Sequence, residues 1–240
     1  MDVSQRGEPR GSRDRQSREQ GAAAYVPADA DLAGLRAAAA GCQGCSLYKD
    51  ATQTVFGAGD PTARVVLVGE VPGDQEDRQG APFVGPAGRL LDKALVEAGI
   101  DRGDSYVTNA VKHFKFKQAA PGKRRIHQTP DAGEIAACRP WLAAEFALLD
   151  PVVIVSLGAV AGKSLLGPSF RVTKERGVRM PRPAIGDLPP RDDRFLVATI
   201  HPSAVIRADD RDAMYAGFLA DLKVAAETLA LVGVDRQDDQ

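Results

Sequence analysis

Four short apolar runs along the chain predict the strands of a central sheet. Their sequences are RVVLVG at 64–69, SYVTNAV at 105–111, VVIVSL at 152–157 and FLVATI at 195–200. Runs of this length that are rich in β-branched residues, with little alternation of polar positions, are typical of parallel strands buried on both faces.

Apolar residues at helical spacing lie between these runs. One such set is followed by Gly99, which is placed to end a helix; its members are Ala87, Leu90, Leu91, Ala94, Leu95 and Ala98. Similar patterns predict helices at 31–40, at 159–166 and through Leu229 near the end of the chain. Strands that alternate with helices predict an α/β fold, a three-layer α/β/α sandwich around a mostly parallel sheet.

Prolines mark two further features of this plan. A helix is expected to begin near Thr129, with Pro130 at its first position and acidic residues in its first turn. Pro140 should kink or divide that helix. The proline-rich stretch at 179–194 is expected to be a surface loop.

A chain of 240 residues can form one domain of this kind. We predict a disordered polar arm at 1–28, the domain at 29–232 and a short tail at 233–240. The arm lacks the apolar segment of a secretion signal, and no apolar run is long enough to span a bilayer. These patterns predict a cytoplasmic protein without a membrane partner, and a monomer is our starting assumption.

Three polar residues stand where predicted strands end. Glu70 follows the first strand, Asn109 ends the second and His201 follows the fourth. Ligands of parallel α/β sheets bind beyond the carboxyl ends of the strands. Polar residues also occur there simply because loops begin there, but three residues suited to acid–base or hydrogen-bonding chemistry favour a site.

A basic segment stands out from a balanced chain. The 31 Lys and Arg residues nearly cancel the 32 acids, giving a net charge of −1. The stretch 112–127 nevertheless has no acid and contains Lys112, Lys115, Lys117, Lys123, Arg124 and Arg125. Charge runs are usually solvated surface, and the alternative is a loop that grips phosphates. The charge alone does not decide between them.

Three cysteines are too few for a disulfide framework. Cys42 and Cys45 form a CxxC turn, and Cys138 lies far downstream. A metal site built on them needs a fourth ligand from elsewhere in the chain.

Several motifs together resemble the iron–sulfur uracil-DNA glycosylases. GEVPGDQED at 69–77 followed by PFVGPAG at 82–88 is similar to their first signature, and HPS at 201–203 is similar to their second. TNAVK at 108–112 looks like the strand end that carries their base-reading Asn. The resemblance extends from about Cys42 to Leu229.

Two features narrow the resemblance to the X-type branch of that family. KRRIH at 123–127 lies in the basic segment and is absent from ordinary members, and His113 stands where other members carry a cysteine. Val71 departs from the pattern, because Gln is expected there in the X type and Ala in ordinary enzymes. A side-chain contact to the base or the DNA is therefore in doubt.

The resemblance implies roles for residues around a flipped uracil. Asn109 would read the N3–H and O4 edge, Phe83 would stack on the ring, and Gly69, Val71 and Asp74 would help hold the base. His201 would donate to uracil O2, and Glu70 would place negative charge near the sugar.

The resemblance also implies contacts to DNA and a metal group. Lys123, Arg124, Arg125 and Ser203 would contact the DNA, which we expect to be preferentially single-stranded. Cys42, Cys45, His113 and Cys138 would hold a [4Fe–4S] cluster. The residues by themselves fit tetrahedral zinc at least as well.

His127 distinguishes the X-type hypothesis from its rivals. We predict that its imidazole attacks the deoxyribose C1′ as the base departs and forms a stable covalent adduct. One alternative is an ordinary multiple-turnover glycosylase in which water attacks and His127 only binds DNA. Another is a non-catalytic, zinc-stabilised nucleic-acid-binding module, which leaves the three strand-end residues without a purpose.

Overall fold

The computed structural model describes residues 21–120 and 122–234. Within these residues the strands are β1 (Ala58–Gly59), β2 (Val65–Gly69), β3 (Ser105–Asn109), β4 (Phe116–Lys117), β5 (Ile126–His127), β6 (Val153–Leu157), β7 (Arg179–Arg182) and β8 (Arg191–Thr199). The helices are α1 (Leu32–Ala39), α2 (Asp74–Gln79), α3 (Pro86–Ala98), α4 (Ala132–Leu149), α5 (Ala159–Leu166), α6 (Val172–Glu175), α7 (Pro202–Arg207) and α8 (Arg211–Val234).

Six strands form the central sheet in the order β1-β3-β2-β6-β8-β7. The four inner strands run parallel, whereas β1 and β7 pair antiparallel at the two edges. Every residue of β2, β3 and β6 is buried, as strands covered on both faces should be. The predicted α/β fold with a mostly parallel sheet is confirmed.

Alternate residues of each inner strand face different helical layers. Val65 and Leu67 of β2 pack in one cluster with apolar residues of α3 and α8. Val66 and Val68 of the same strand pack in a second cluster with residues of α4 and α5. The sheet is therefore the middle layer of a three-layer sandwich.

Helix α4 differs from its prediction at the start and in the middle. It begins at Ala132 because the Asp131 carboxylate accepts the backbone N–H of Glu134 at 2.9 Å, while the Glu134 carboxylate accepts that of Asp131. This reciprocal capping box satisfies two backbone donors that the helix leaves unpaired. The helix then continues past Pro140 to Leu149, so Pro140 does not divide it.

The stretch expected to be a loop at 179–194 contributes two strands. Strand β7 contains Pro181, which is tolerated because β7 lies at the sheet edge and one of its sides needs no partner. The first residues of β8 pair with it through an irregular register at Pro181 and Arg182.

The start of the described chain is more ordered than the prediction of an arm at 1–28. Gly21–Tyr25 forms a 3-10 helix, and Ala22 is buried among apolar residues that include Trp141. Residues 1–20 and 235–240, which belong to the predicted arm and tail, lie outside the described residues. None of the described helices combines the length and apolar character that a membrane span requires.

Gly88 lets helix α3 approach the preceding loop closely. A Cβ at this position would lie 1.6 Å from the carbonyl oxygen of Phe83. Phe83 itself has a left-handed backbone, with φ of 56°, which is uncommon for a bulky residue. Helix α3 therefore packs closely against a loop that has an unfavourable local conformation.

We predict that Gly88→Ala lowers the free energy of unfolding by about 1–3 kcal/mol, the usual cost of overpacking. Urea denaturation of the purified protein measures this change. Gly41→Ala is the matched control, because a Cβ there would meet its nearest neighbour, the Ala38 carbonyl oxygen, at 3.8 Å. Equal stability of the two variants would contradict the predicted crowding at Gly88.

Candidate active site

The carboxyl ends of the parallel strands bring three predicted residues to one edge. Gly69 and Asn109 are paired in register as the last residues of β2 and β3. Glu70 follows β2 directly, and His201 lies two residues beyond β8, where it caps α7. The strand-end placement expected from the sequence is thus present in the structure.

The absence of a side chain at Gly69 creates room beside Asn109. A Cβ at Gly69 would lie 2.3 Å from the Asn109 Oδ1 atom and 2.6 Å from the Phe83 ring. The Phe83 and His201 rings are stacked with centroids 6.0 Å apart and an interplanar angle of 30°. Phe83, Asn109 and His201 are therefore neighbours around one small space, with an aromatic face and an amide edge.

A hydrogen bond from the loop that carries Phe83 ties this loop to helix α2. The Glu76 carboxylate accepts the backbone N–H of Gly85 at 2.8 Å. Together with the close approach at Gly88, this bond fixes both flanks of the Phe83 loop.

His201 has a defined proton arrangement. Burial lowers its pKa to about 4, and the charges of His127 and Arg207 act in the same direction, so the ring is neutral at neutral pH. Its Nδ1 atom accepts the backbone N–H of Ser203 at 3.1 Å. The single ring proton of the neutral form then resides on Nε2, which can donate to a ligand.

Glu70 is a partly buried carboxylate with one buried oxygen, Oε1, that has no hydrogen-bond partner in the described part of the chain. Burial raises the pKa of Glu70, while the side chain of Thr129 and the charge of Arg207 oppose that increase. Thr129 lies two residues after His127, so the basic segment returns to the strand end that carries Glu70.

The basic segment forms a small hairpin that presents His127. Strands β4 and β5 pair antiparallel, with Phe116 opposite His127. The His127 ring centroid lies 6.2 Å from that of Phe114, and the residue is exposed at the surface of the hairpin. Partial desolvation lowers the pKa of His127, as does the charge of Arg207, and Glu76 acts in the opposite direction.

Arg125 anchors this hairpin to helix α2. Its guanidinium contacts the Asp74 carboxylate and donates to the Asp77 carboxylate at 2.6 Å. It also lies 5.1 Å from the Phe114 ring centroid and 5.0 Å from that of Phe116. We call Arg125, Asp74 and Asp77 the arginine clamp.

The clamp changes the interpretation of two predicted site residues. Arg125 was expected to face DNA, yet its side chain is only 9% exposed because it is directed at the two aspartates. Asp74 was expected to help hold the base, and its carboxylate contacts Arg125 and Arg78 instead. Lys123 and Arg124 are exposed on the same segment, and Ser203 lies against His201.

The lysines at the start of the basic segment also have protein partners. Lys112 is buried against Glu145, and Lys115 donates to the Glu134 carboxylate at 2.7 Å. The positive surface expected over 112–127 is therefore concentrated toward its second half.

Arg207 and Asp77 also contribute to this site, although the sequence alone did not predict them. The charge of Arg207 affects the pKa of Glu70, His127 and His201. Its position in the last turn of the helix opened by HPS is the sequence signal that could have identified it. Asp77 lies within the GEVPGDQED motif and is the fully buried member of the clamp.

The three cysteines lie close enough for the charges of Cys42 and Cys45 to act on Cys138. Burial raises the pKa of Cys138 to about 12, and Cys45 and Cys42 contribute in the same direction. The Cys138 sulfur accepts the backbone N–H of Lys112, and the Cys42 sulfur accepts the indole N–H of Trp141, both at 3.3 Å. Such N–H donors are suited to thiolates that ligate a metal or a cluster.

The fourth predicted ligand is less closely tied to this group. His113 is buried, burial lowers its pKa to about 4, and the charge that acts on it is that of Asp77. Across residues 21–120 and 122–234, no three His, Cys, Asp or Glu side chains are arranged around a single ion position.

Val71 points into the core beside the cysteines. It is buried in the apolar cluster that contains Cys42, Val111, Cys138 and Trp141. An apolar side chain suits this position, which accounts physically for a residue that departs from the expected Gln or Ala.

Comparison with known proteins identifies the family of this chain. Residues 56–223 match the family model of the uracil DNA glycosylase superfamily. The type-4 uracil-DNA glycosylase of Thermotoga maritima is 39% identical over 167 residues, which cover 69% of this chain and 78% of the relative. That of Pyrobaculum aerophilum is 35% identical over 177 residues, covering 74% and 85%. The chain therefore belongs to the uracil DNA glycosylase superfamily and is related to its type-4 members.

Proposed function

We propose that this protein excises uracil from DNA and then remains covalently bound to the abasic deoxyribose through His127. Excision is supported by the family relationship and by the space between Phe83, Asn109 and His201. Covalent capture is supported chiefly by one observation. The charge of His127 is among the causes that lower the pKa of His201, so the two imidazoles lie within electrostatic range of each other.

Recognition of uracil follows from the Asn109 amide. Its oxygen accepts the N3–H of the base while its NH₂ group donates to O4. Cytosine presents the opposite pattern at both atoms, so two buried polar groups would be left unpaired. Phe83 offers a ring on which the extruded base stacks, offsetting part of the cost of removing it from its neighbours.

Departure of the base is assisted by His201. When the bond between N1 and C1′ breaks, its electron pair leaves with uracil, and negative charge develops on O2. The Nε2–H group of neutral His201 donates to that oxygen, and a preorganised donor in a desolvated site is well suited to this role.

Capture uses the unprotonated nitrogen of His127. Its lone pair forms a bond to C1′ on the sugar that the departing uracil leaves electron-deficient. The ring thereby becomes a cationic alkylimidazolium, which still carries one N–H proton. The lowered pKa of His127 keeps the nucleophilic neutral form available at neutral pH.

Glu70 completes the proton balance of this step. Its carboxylate, one oxygen of which is buried without a hydrogen-bond partner in the part of the chain that the structure describes, stabilises the positive charge on the sugar and then accepts the imidazolium proton. Raising the pKa of Glu70 makes it a better proton acceptor. The proton finally passes to the uracil anion, and the neutral alkylimidazole left on C1′ is a poor leaving group, which explains a stable adduct.

The DNA strand is expected to lie along the exposed face of the hairpin. Lys123 and Arg124 are placed to contact its phosphates, and Ser203 lies beside the base site. A single strand suits this arrangement, because the target nucleotide needs no unpairing before it enters the site.

A [4Fe–4S] cluster is the metal group that we assign to this protein. Cys42, Cys45 and Cys138 would hold it, with His113 as the fourth ligand. The N–H donors to two of the sulfurs fit such a group. The bound cluster would brace the chain beside the basic segment and take no part in the glycosidic chemistry.

We predict that His127→Ala abolishes a DNA adduct that the unaltered protein forms with uracil-containing single-stranded DNA. A denaturing gel run after heating in SDS detects the adduct as a shifted band. His127→Gln is the matched control, since Gln can still hydrogen-bond to DNA but has no nucleophilic ring nitrogen. Survival of the band in either variant, or free abasic product from the unaltered protein, would contradict capture by His127.

The pH dependence of capture should follow the neutral form of His127. Because its pKa lies below the ordinary 6.5, the rate constant at saturating DNA should level off as the pH rises above 6.5. On acidification it should fall with the unprotonated fraction, with a midpoint below pH 6.5. Glu70→Gln should slow the reaction, but the rate constant should still fall at low pH as it does in the unaltered protein. If this fall disappears in Glu70→Gln, Glu70 activates water instead.

The arginine clamp should control the rate of capture more than the binding of DNA. Arg125→Lys keeps the charge but loses the fork that bridges two carboxylates. We expect a fall of about tenfold to a hundredfold in the capture rate at saturating DNA, as small displacements of reacting groups produce. Arg124→Lys should alter only the DNA concentration that gives half the maximal rate. If Arg125→Lys also alters only the half-saturating DNA concentration, Arg125 acts as a phosphate contact.

A further inference from the structure

A buried ion pair lies directly behind the base-reading strand end. The Lys112 ammonium is 2.5 Å from the Glu145 carboxylate, and the two side chains are 1% and 0% exposed. Lys112 is the first residue of the basic segment, but it contacts no solvent and leaves the DNA-facing surface to residues further along.

The pair is fully hydrogen-bonded. The Lys112 ammonium also donates to the Thr108 hydroxyl at 2.5 Å and to the Asn109 carbonyl oxygen at 3.0 Å, so its three protons have three acceptors. The Glu145 carboxylate accepts from the Tyr106 hydroxyl at 2.9 Å and from the Gly57 N–H at 3.2 Å.

Such a pair is a poor way to stabilise a fold. Desolvation of two charges offsets most of their attraction, and well-packed apolar residues often stabilise as much. What the pair does provide is geometry, because a fork of charge-assisted hydrogen bonds holds its partners in fixed positions. One of those partners is the backbone of Asn109.

The same turn is tied on its other sides. The backbone N–H of Ala110 donates to the Gly69 carbonyl oxygen at 2.9 Å, and that of Val111 donates to the Glu70 backbone carbonyl oxygen at 3.1 Å. The backbone N–H of Lys112 donates to the Cys138 sulfur. Residues 109–112 therefore connect the base site, the Glu70 strand end and the cysteine group.

We propose that Lys112, anchored by Glu145 of helix α4, is a positioning residue for uracil recognition. It holds the Asn109 backbone so that the amide meets the base edge in one orientation. This inference rests on the proposed uracil excision and adds a residue that does not itself touch the base.

The test compares three variants with the unaltered holoprotein. Lys112→Met alone leaves the Glu145 carboxylate buried without its partner and will mainly lower stability. Lys112→Met with Glu145→Gln removes both charges while Gln can still bond to Tyr106 and Gly57. Tyr106→Phe perturbs the same buried cluster without touching Asn109 and is the matched control.

Three measurements separate positioning from stability. Urea denaturation reports stability, calorimetry reports the Kd of free uracil, and single-turnover excision reports the half-saturating DNA concentration and the maximal rate. In the double variant we expect stability close to that of the unaltered protein. The Kd of uracil should rise about tenfold to a hundredfold, as for loss of one charged hydrogen bond. Tyr106→Phe should lose stability and keep the uracil Kd.

The outcomes distinguish this inference from the function on which it rests. If the unaltered protein releases no uracil, the proposed function fails and the inference with it. If the unaltered protein is active and the double variant binds uracil equally well, only the inference fails. The iron content and visible spectrum should not change, because the backbone N–H at residue 112 still reaches Cys138. Loss of iron in the double variant would assign Lys112 to the cysteine group instead.

Discussion

The register between β2 and β3 is the constraint on which the site depends. It places Gly69 beside Asn109 at the ends of two parallel strands, and the missing Cβ of Gly69 leaves the space in which the Asn109 amide and the Phe83 ring meet. A slip of one residue would turn Asn109 to the opposite face of the sheet. The buried residues on both faces of β2 resist such a slip, so the core of the sandwich also determines the geometry of recognition.

Electrostatics around this pocket favours neutral imidazoles. Desolvation acts on both His127 and His201, and the nearby charge of Arg207 acts in the same direction. One neutral ring can then donate a proton-bearing nitrogen, and the other can offer a lone pair. Two residues of the same type can therefore take opposite roles because hydrogen bonding and loop position differ, with Ser203 defining the tautomer of His201.

The strands, the main helices and the strand-end residues were predictable because they depend on local periodicity and on a general rule for parallel sheets. The partners of the charged side chains were not predictable from the sequence. Lys112 meets Glu145 across 33 positions of sequence, and Arg125 meets Asp74 across 51. A run of basic residues shows its charge but not its partners, so the inward direction of Lys112 and Arg125 required the tertiary structure. Helix α4 likewise continues past Pro140, because tertiary packing overrides the local propensity of proline to end a helix.

The antiparallel strand β7 has a consequence for how copies of this protein meet one another. An outer strand with free amide and carbonyl groups invites edge-to-edge association into aggregates. Pro181 has no amide N–H to donate, and the shifted register at Pro181 and Arg182 interrupts the regular spacing of the strand. One of the prolines that made this stretch resemble a loop thus helps to prevent the edge of the sheet from pairing with a strand of another molecule.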